Sequence, residues 1–452
     1  MSNKAFIDKS RIDHLYRPVG VRVGDFAEVE ADPTREQLRE QAERCMNCGI
    51  PFCLGCGCPL YNAIPDMNAA VARGDWREAW AVLSATSDLP EFPARICPAL
   101  CEGSCTASLP SEAVMIRQIE KAVVEKAFAM GLVKPVVPKA ENGLKASVVG
   151  SGPGGLAAAI ALRRRGYAVT VYERAAQPGG LLRYGIPFFK LDKRIIDRRI
   201  EILRESGIGF VCGVEVGRDL AGEELARRSD VVAVAIGTPA ARDLAIPGRD
   251  LAGIHLALEF LGGQNQALGG EIPGPPISAK SRRVLVIGGG DTGSDCVGTS
   301  NRHGAESVTQ IEIMPKPSAA RADATPWPDW PAQMRTSSSH EEGCLRRWSL
   351  NSLRFLGEDG RVSGVEVCQV AWELSPAGRP LKFTPVEGTR EVISCDLVLL
   401  ALGFVKQDRA TVLGKLGIPD SPTVVLVGDA ALGPSLVVRA LAQAKEAVGK
   451  MA

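Results

Sequence analysis

The sequence predicts an α+β multidomain chain, with a helical, cysteine-rich N-terminal domain followed by two α/β units built on parallel sheets. Three observations predict it. Eight of the thirteen cysteines fall between Cys45 and Cys105. After about residue 140 the texture changes to strands alternating with helices, the pattern of a parallel sheet. A strand–glycine turn–helix–strand unit at 146–174 recurs at 282–313. At 452 residues the chain also exceeds what one hydrophobic core supports.

The elements follow in order. Within 1–140, "TREQLREQAERC" starts a helix at a Thr cap, and "DMNAAVARGDWREAWAVLSATSDLP" reads as two short helices. "SEAVMIRQIEKAVVEKAFAMG" repeats apolar residues at three and four. "KPVVPKAENGLK" is a linker. The first α/β unit is expected over 141–260 and the second over 261–404, with 405–452 returning to the first. "GRDLAIPGRDLAGIHLALEFLGG" and "DLVLLALGF" are the expected crossings. "PKPSAARADATPWPDWPAQMRTSSSHEEG", rich in Pro, Ser and Trp, should be an irregular loop over the second unit.

Composition narrows the function. Lys plus Arg number 53 against 52 Asp plus Glu, so no global field favours nucleic acid or an anionic membrane. "MSNKAFIDKSRIDHLYRPVG" has no apolar core of a secretion signal, and the longest apolar runs match one buried strand, so a cytoplasmic, soluble protein is expected. Clustered cysteines in a reducing compartment point to metal or redox work rather than disulfides.

Both repeated units carry the glycine pattern of a Rossmann-like dinucleotide site. In "GSGPGG", Gly150, Gly152, Pro153, Gly154 and Gly155 lie between strand and helix, where a pyrophosphate rests on the free N–H groups of the helix start. Glu173, eighteen residues after Gly155, is placed to accept the hydroxyls of an adenosine ribose, with Arg174 beside it. "QPGGLLRYGIPFFKLDK" gives a second close backbone approach at Gly180, with Leu181 and Gly185 following. It looks like the second FAD-contacting turn of two-dinucleotide-domain flavoprotein reductases. The second turn, "GGGDTGSDC", offers Gly288, Gly290, Asp291, Thr292 and Gly293 to a nicotinamide nucleotide. Glu312 there argues for NADH, whereas Arg302 and Lys316 are candidates for the 2′-phosphate of NADPH. Gly237 and Thr238, at the end of "VVAVAIGT", and Gly403, at the end of "LVLLALGF", are further cofactor-binding candidates.

The cysteines form two groups: Cys45, Cys48, Cys53, Cys56 and Cys58, then Cys97, Cys101 and Cys105. Thiolates suit zinc or iron–sulfur clusters. Only Cys45/Cys48 and Cys53/Cys56 have the CxxC spacing of a zinc ribbon, and they lie too close for the usual hairpin between knuckles. Cys-Pro at Cys58 and Cys97 favours iron–sulfur, with zinc and structural thiols as the alternatives. His340, in "SSSHEEG", has no nucleophile context and is expected on a loop or at the nucleotide rim. No two cysteines pair beside the flavin turn, which disfavours a disulfide-reductase mechanism.

Taken together, "CMNCGIPFC", "GCPLYNAIPD", "FPARICPALCEGSC", "GLLRYGIPFFKLDK" and "RTSSSHEEG" resemble, in order and across nearly the whole chain, the glutamate synthase small (beta) subunit family. The resemblance implies FAD, NADPH or NADH with NADPH favoured, and two 4Fe-4S clusters. It implies that Cys45, Cys48, Cys53 and Cys105 hold one cluster and Cys58, Cys97 and Cys101 the other, with Glu120 as eighth ligand. An alternative ligation uses Cys56 in place of Cys58. Gly428 and Asp429, followed by Ser435, Leu436 and Val437, match the family's FAD-closing segment. The implied partner is a large (alpha) subunit, carrying FMN, that makes glutamate from glutamine and 2-oxoglutarate; no nucleic acid or membrane is involved. The stretch between Gly403 and Gly428, 24 residues, is shorter than the family's usual one and puts flavin retention in question. The rival readings are a stand-alone NAD(P)H:ferredoxin-type oxidoreductase and a non-catalytic scaffold. No general acid or base is assigned, because hydride transfer needs positioning more than proton chemistry.

Overall fold

The computed structural model describes residues 4–13, 15–375, 378 and 380–451. The N-terminal region is helical. Helix Arg35–Glu43 starts in a capping box, in which Thr34 Oγ1 accepts from Gln37 N and Gln37 Oε1 accepts from Thr34 N. The two expected short helices are Ile64–Arg73 and Trp76–Thr86, the second capped by Asp75. Helix Ile116–Ala129 buries Ile116, Ile119, Val123 and Val124 against these three.

The first α/β unit is a five-stranded sheet. Its order is Val424–Leu426, Val231–Val234, Lys145–Val149, Ala168–Glu173 and Gly209–Cys212, and every ladder is parallel. Its central strands read "VVAV" and "ASVV" because helices cover both faces. Helix Val437–Gly449 packs on helix Pro153–Arg164, the one opened by the first glycine turn.

The second unit repeats the plan in the order Ile254–Leu256, Leu397–Leu400, Arg283–Ile287, Ser307–Ile311 and Leu345–Arg347, again all parallel. The strand at Ile254 belongs here, so the chain crosses before the expected 261. Between Leu345–Arg347 and Leu397–Leu400 lies an antiparallel sheet that sequence reading did not anticipate. Strand Arg361–Leu374 pairs with Leu350–Glu358, Pro380–Pro385 and Glu391–Ser394. The hairpin turns at Asp359 and Gly360, both at positive φ, 49° and 76°, as an Asp-Gly turn requires.

One hydrophobic core runs without a break from Leu38, Leu83 and Ile119 of the helical region to Val148, Leu156 and Val171 of the first unit. The cysteine region and the first unit are therefore packed as one body. The second sheet has its own core on each face.

Candidate functional site

The glycine turns have the same local geometry. Gly150 and Gly288 sit at φ 101° and 123°, and a Cβ would lie 2.5 Å from Ala235 O in the first and 2.2 Å from Ala401 O in the second. Only glycine lets the turn press against the neighbouring strand's end. Beyond each turn a helix opens, Pro153–Arg164 and Asp291–Arg302, with its first N–H groups free for an anion. Gly180, at φ 51°, approaches so near that a Cβ would lie 2.7 Å from Gly152 Cα.

Each second strand ends in a carboxylate held by backbone. Glu173 Oε2 accepts from Ser151 N at 3.0 Å and Oε1 from Ala175 N at 2.9 Å. Glu312 Oε2 accepts from Gly289 N at 2.6 Å and Oε1 from Met314 N at 3.1 Å. The second turn has a further support that sequence reading missed. Ser337 N donates to His340 Nδ1 at 3.3 Å, which places the ring proton on Nε2, facing Gln310 Oε1 at 2.8 Å. Gln310 Nε2 then donates to Gly288 O at 2.8 Å. Burial holds His340 down to about 4, so this ring is neutral at physiological pH. His340 thus braces the glycine turn instead of acting as a base.

A cleft of ≈ 1620 Å³ borders the first turn and Glu173 and reaches the start of the second unit's helix, while Gly288, Gly290, Gly293 and Glu312 lie outside its lining. Gly150, Gly152, Pro153, Gly154, Glu173, Arg174, Gly180 and Leu181 border it from the first unit. Gly237, Thr238, Asp291, Thr292 and Gly403 border it near the second. The C-terminal return contributes Gly428, Asp429, Ser435, Leu436 and Val437. The short stretch 404–427 still supplies helix Arg409–Leu416 and strand Val424–Leu426, and Asp429 is fixed by Ser435 Oγ at 2.5 Å. Gly155 and Gly293 lie behind the turns, where a Cβ would strike the carbonyls of Gly150 and Gly288 at 2.0 and 2.2 Å. Gly290 caps its helix, and Gly185 ends the short helix Leu181–Tyr184. At the junction of the units Lys190 Nζ meets Asp295 Oδ1 at 2.5 Å, a contact that no sequence motif signalled.

Arg302 is placed differently from expectation. Its side chain is 0% exposed, clamped by Glu342 and donating to Asp25 O at 2.9 Å, with the guanidinium 3.8 Å over the Phe189 ring. It ties the N-terminal segment to the second unit and is not available to a phosphate.

The cysteines separate into two groups in space. Cys45, Cys48, Cys53 and Cys105 surround one small cavity, and Cys58, Cys97 and Cys101 perturb one another together with Glu120. Burial pushes Cys53 and Cys58 up to about 12 and Cys97 to about 11. Glu120 rises to about 7 for the same reason, although Asn62 Nδ2 donates to it at 2.9 Å. A crowd of buried thiols and a carboxylate becomes favourable as anions only around a strong positive centre. Such donors fit iron–sulfur clusters, as the glycine cradles fit dinucleotides. Cys56, by contrast, is exposed on the π-helical turn Cys53–Gly57. Cys97 borders the large cleft, together with Pro98, Ala99 and Leu100.

A helical cysteine domain joined to two dinucleotide-binding units defines a flavin and iron–sulfur oxidoreductase that takes electrons from NAD(P)H. Residues 22–132 match the family model described as dihydropyrimidine dehydrogenase domain II, 4Fe-4S cluster, and residues 144–327 the model described as pyridine nucleotide-disulphide oxidoreductase. The chain belongs to the glutamate synthase small-chain family. It is 46% identical over 451 residues to the "Glutamate synthase [NADPH] small chain" of Mycobacterium tuberculosis, covering 95% of this chain and 91% of that one. It is 38% identical over 470 residues to the "Glutamate synthase [NADH]" of Schizosaccharomyces pombe, covering 98% of this chain and 22% of that one. The fold is shared with FprA of Mycobacterium tuberculosis, solved in complex with NADPH, at a TM-score of 0.52 and 20% identity over 68% of this chain and 84% of that one. Among the described residues no helix is long and apolar enough to cross a membrane.

Proposed function

We propose that this chain is the electron-input subunit of a cytoplasmic glutamate synthase, working with a large subunit that makes glutamate from glutamine and 2-oxoglutarate. The observation that carries the reading is the continuity of the cleft: it borders the first glycine turn, the start of the second unit's helix and Cys97 at once. When bound, FAD supplies a hydride acceptor that also releases single electrons, and two 4Fe-4S clusters supply a one-electron path.

The chain's residues hold these groups. The turn from Gly150 to Gly155 and the helix start at Pro153 receive the FAD pyrophosphate, Glu173 the adenosine ribose, and Asp429 the ribityl chain. The turn from Gly288 to Gly293 receives the nicotinamide nucleotide. Cys58, Cys97, Cys101 and Glu120 form the donor set next to the cleft, and Cys45, Cys48, Cys53 and Cys105 the second set. The burial of Cys58 and the exposure of Cys56 favour Cys58 as the ligand. The Lys190–Asp295 pair holds the flavin-side loop against the helix of the second unit.

Affinity purification of the tagged chain from its native host tests the partner. The expected result is an FMN-containing large subunit in the same complex, with NAD(P)H-dependent glutamate formation that the chain alone lacks. A chain that recovers no such subunit and reduces a ferredoxin-type acceptor unaided would overturn the reading.

A further inference from the structure

We propose that Asn68 donates its side-chain amide to the sulfur of Cys45 when a cluster is bound there, and that this hydrogen bond raises the cluster's reduction potential. The inference rests on reading Cys45, Cys48, Cys53 and Cys105 as the donor set of one 4Fe-4S cluster.

Ordinary packing does not account for Asn68. It sits inside helix Ile64–Arg73, where asparagine is a poor helix former. It is 0% exposed, on a helix that otherwise buries Ile64, Pro65, Met67, Ala70, Val71 and Ala72. Neither its Nδ2 nor its Oδ1 finds a hydrogen-bond partner among the described residues. Two bare polar atoms in an apolar interior cost stability, and a leucine of similar size would fill the place without that cost.

The neighbourhood points to a sulfur acceptor. Pro65, three residues earlier on the same helix and so on the same face, borders the small cavity that Cys45, Cys48, Cys53 and Cys105 surround. Of the groups acting on the Cys45 sulfur, the backbone N–H of Asn47 and the Asn68 amide both favour the thiolate. Cys53 is met by the backbone N–H of Leu54, and Cys105 by those of Val114 and Ala107. Asn68 adds a side-chain donor to a set that the main chain already serves. A thiolate accepts from the NH₂ end of an amide and is repelled by its oxygen, so Nδ2 is the atom that serves.

The consequence is electronic. Cluster sulfurs carry part of the negative charge gained on reduction, and a hydrogen bond donated to them stabilises the reduced form. The other set is the opposite case, because the Glu120 carboxylate acts on Cys58, Cys97 and Cys101 against added negative charge. The two sets thus carry side chains of opposite effect.

The test is an EPR-monitored redox titration of the full-length, FAD-loaded chain, unaltered and as Asn68→Leu, with iron and flavin measured on each sample. Asn68→Leu should keep its FAD and about eight iron atoms. It should lower one of the two cluster midpoints by about ten-fold in the reduction equilibrium, ~59 mV for a one-electron couple, and leave the other in place. Asn68→Ala should move the same midpoint the same way, and it decides the matter where the leucine variant loses iron. Full iron with both midpoints unchanged would overturn the proposal, as would a midpoint that rises. Loss of about half the iron from both variants would make Asn68 a structural support and overturn it too. An unaltered chain without iron would overturn the cluster reading and the proposal with it, an outcome that iron analysis alone tells apart from the others.

Discussion

His340 and Arg302 show what single residues contribute and how far each was legible. His340 bonds Ser337 on one side and Gln310 on the other, and Gln310 carries the link to Gly288 O. No spacing rule reveals that bridge, since the three residues come from a strand, a loop and a short helix that meet only in the fold. Arg302 is a 2′-phosphate candidate in the sequence alone, but Glu342 and Phe189, which hold it, arrive from distant segments. Glu173 and Glu312, by contrast, were legible as the acids closing each second strand. His340 also sets a pH dependence. Its value in the fold is about 4, below the roughly 6.5 of an exposed histidine, so below about 6.5 the unfolded chain binds a proton that the folded chain refuses. Stability from this group is therefore present above about 6.5 and is lost as pH falls toward about 4. Thermal melts of the FAD-loaded chain should show a shallower acid slope for His340→Gln than for the unaltered chain over that window; parallel slopes would contradict the assignment.

At the scale of elements, the glycine turns and the helical cysteine region were readable because their patterns are local. The antiparallel sheet was not foreseen, although "GEDGRV" carries an Asp-Gly turn, because its strands are inserted between two strands of a parallel sheet and are paired by contacts that no local pattern marks. The pairing of cysteine groups depended on family resemblance. Its physical reason lies in the turn Cys53–Gly57, which changes direction between Cys53 of one group and Cys58 of the other. Gly57 lies where that turn meets the short helix Leu100–Gly103, and a Cβ there would stand 2.6 Å from Cys101 Cα. Gly57→Ala should push Cys58 and Cys101 apart and remove about half of the bound iron, the share of one four-iron cluster of two. Iron analysis with EPR checks this, and a full complement of unperturbed clusters would show that the close approach is not required.

The whole molecule explains why an iron–sulfur region and a reductase share one chain. The cysteine domain shares one hydrophobic core with the first unit. The expected loop of the second unit also reaches it: Trp327 packs tilted against Phe52 with ring centres 4.6 Å apart, Ser104 Oγ donates to Pro328 O at 2.8 Å, and Arg321 donates to Gly103 O at 2.9 Å. Hydride entry, flavin and cluster donors are thus held in one frame, which suits transfer that depends on fixed separation. The central claim is that two-electron input and one-electron output occur within this single chain. The most direct measurement is a visible spectrum with iron analysis of the purified, full-length chain, taken anaerobically before and after NADPH or NADH. The account predicts one FAD and about eight iron atoms per chain, with flavin and cluster absorbance both bleaching on addition of the reduced nicotinamide nucleotide. A colourless chain, or one whose flavin bleaches with no iron present, would contradict it.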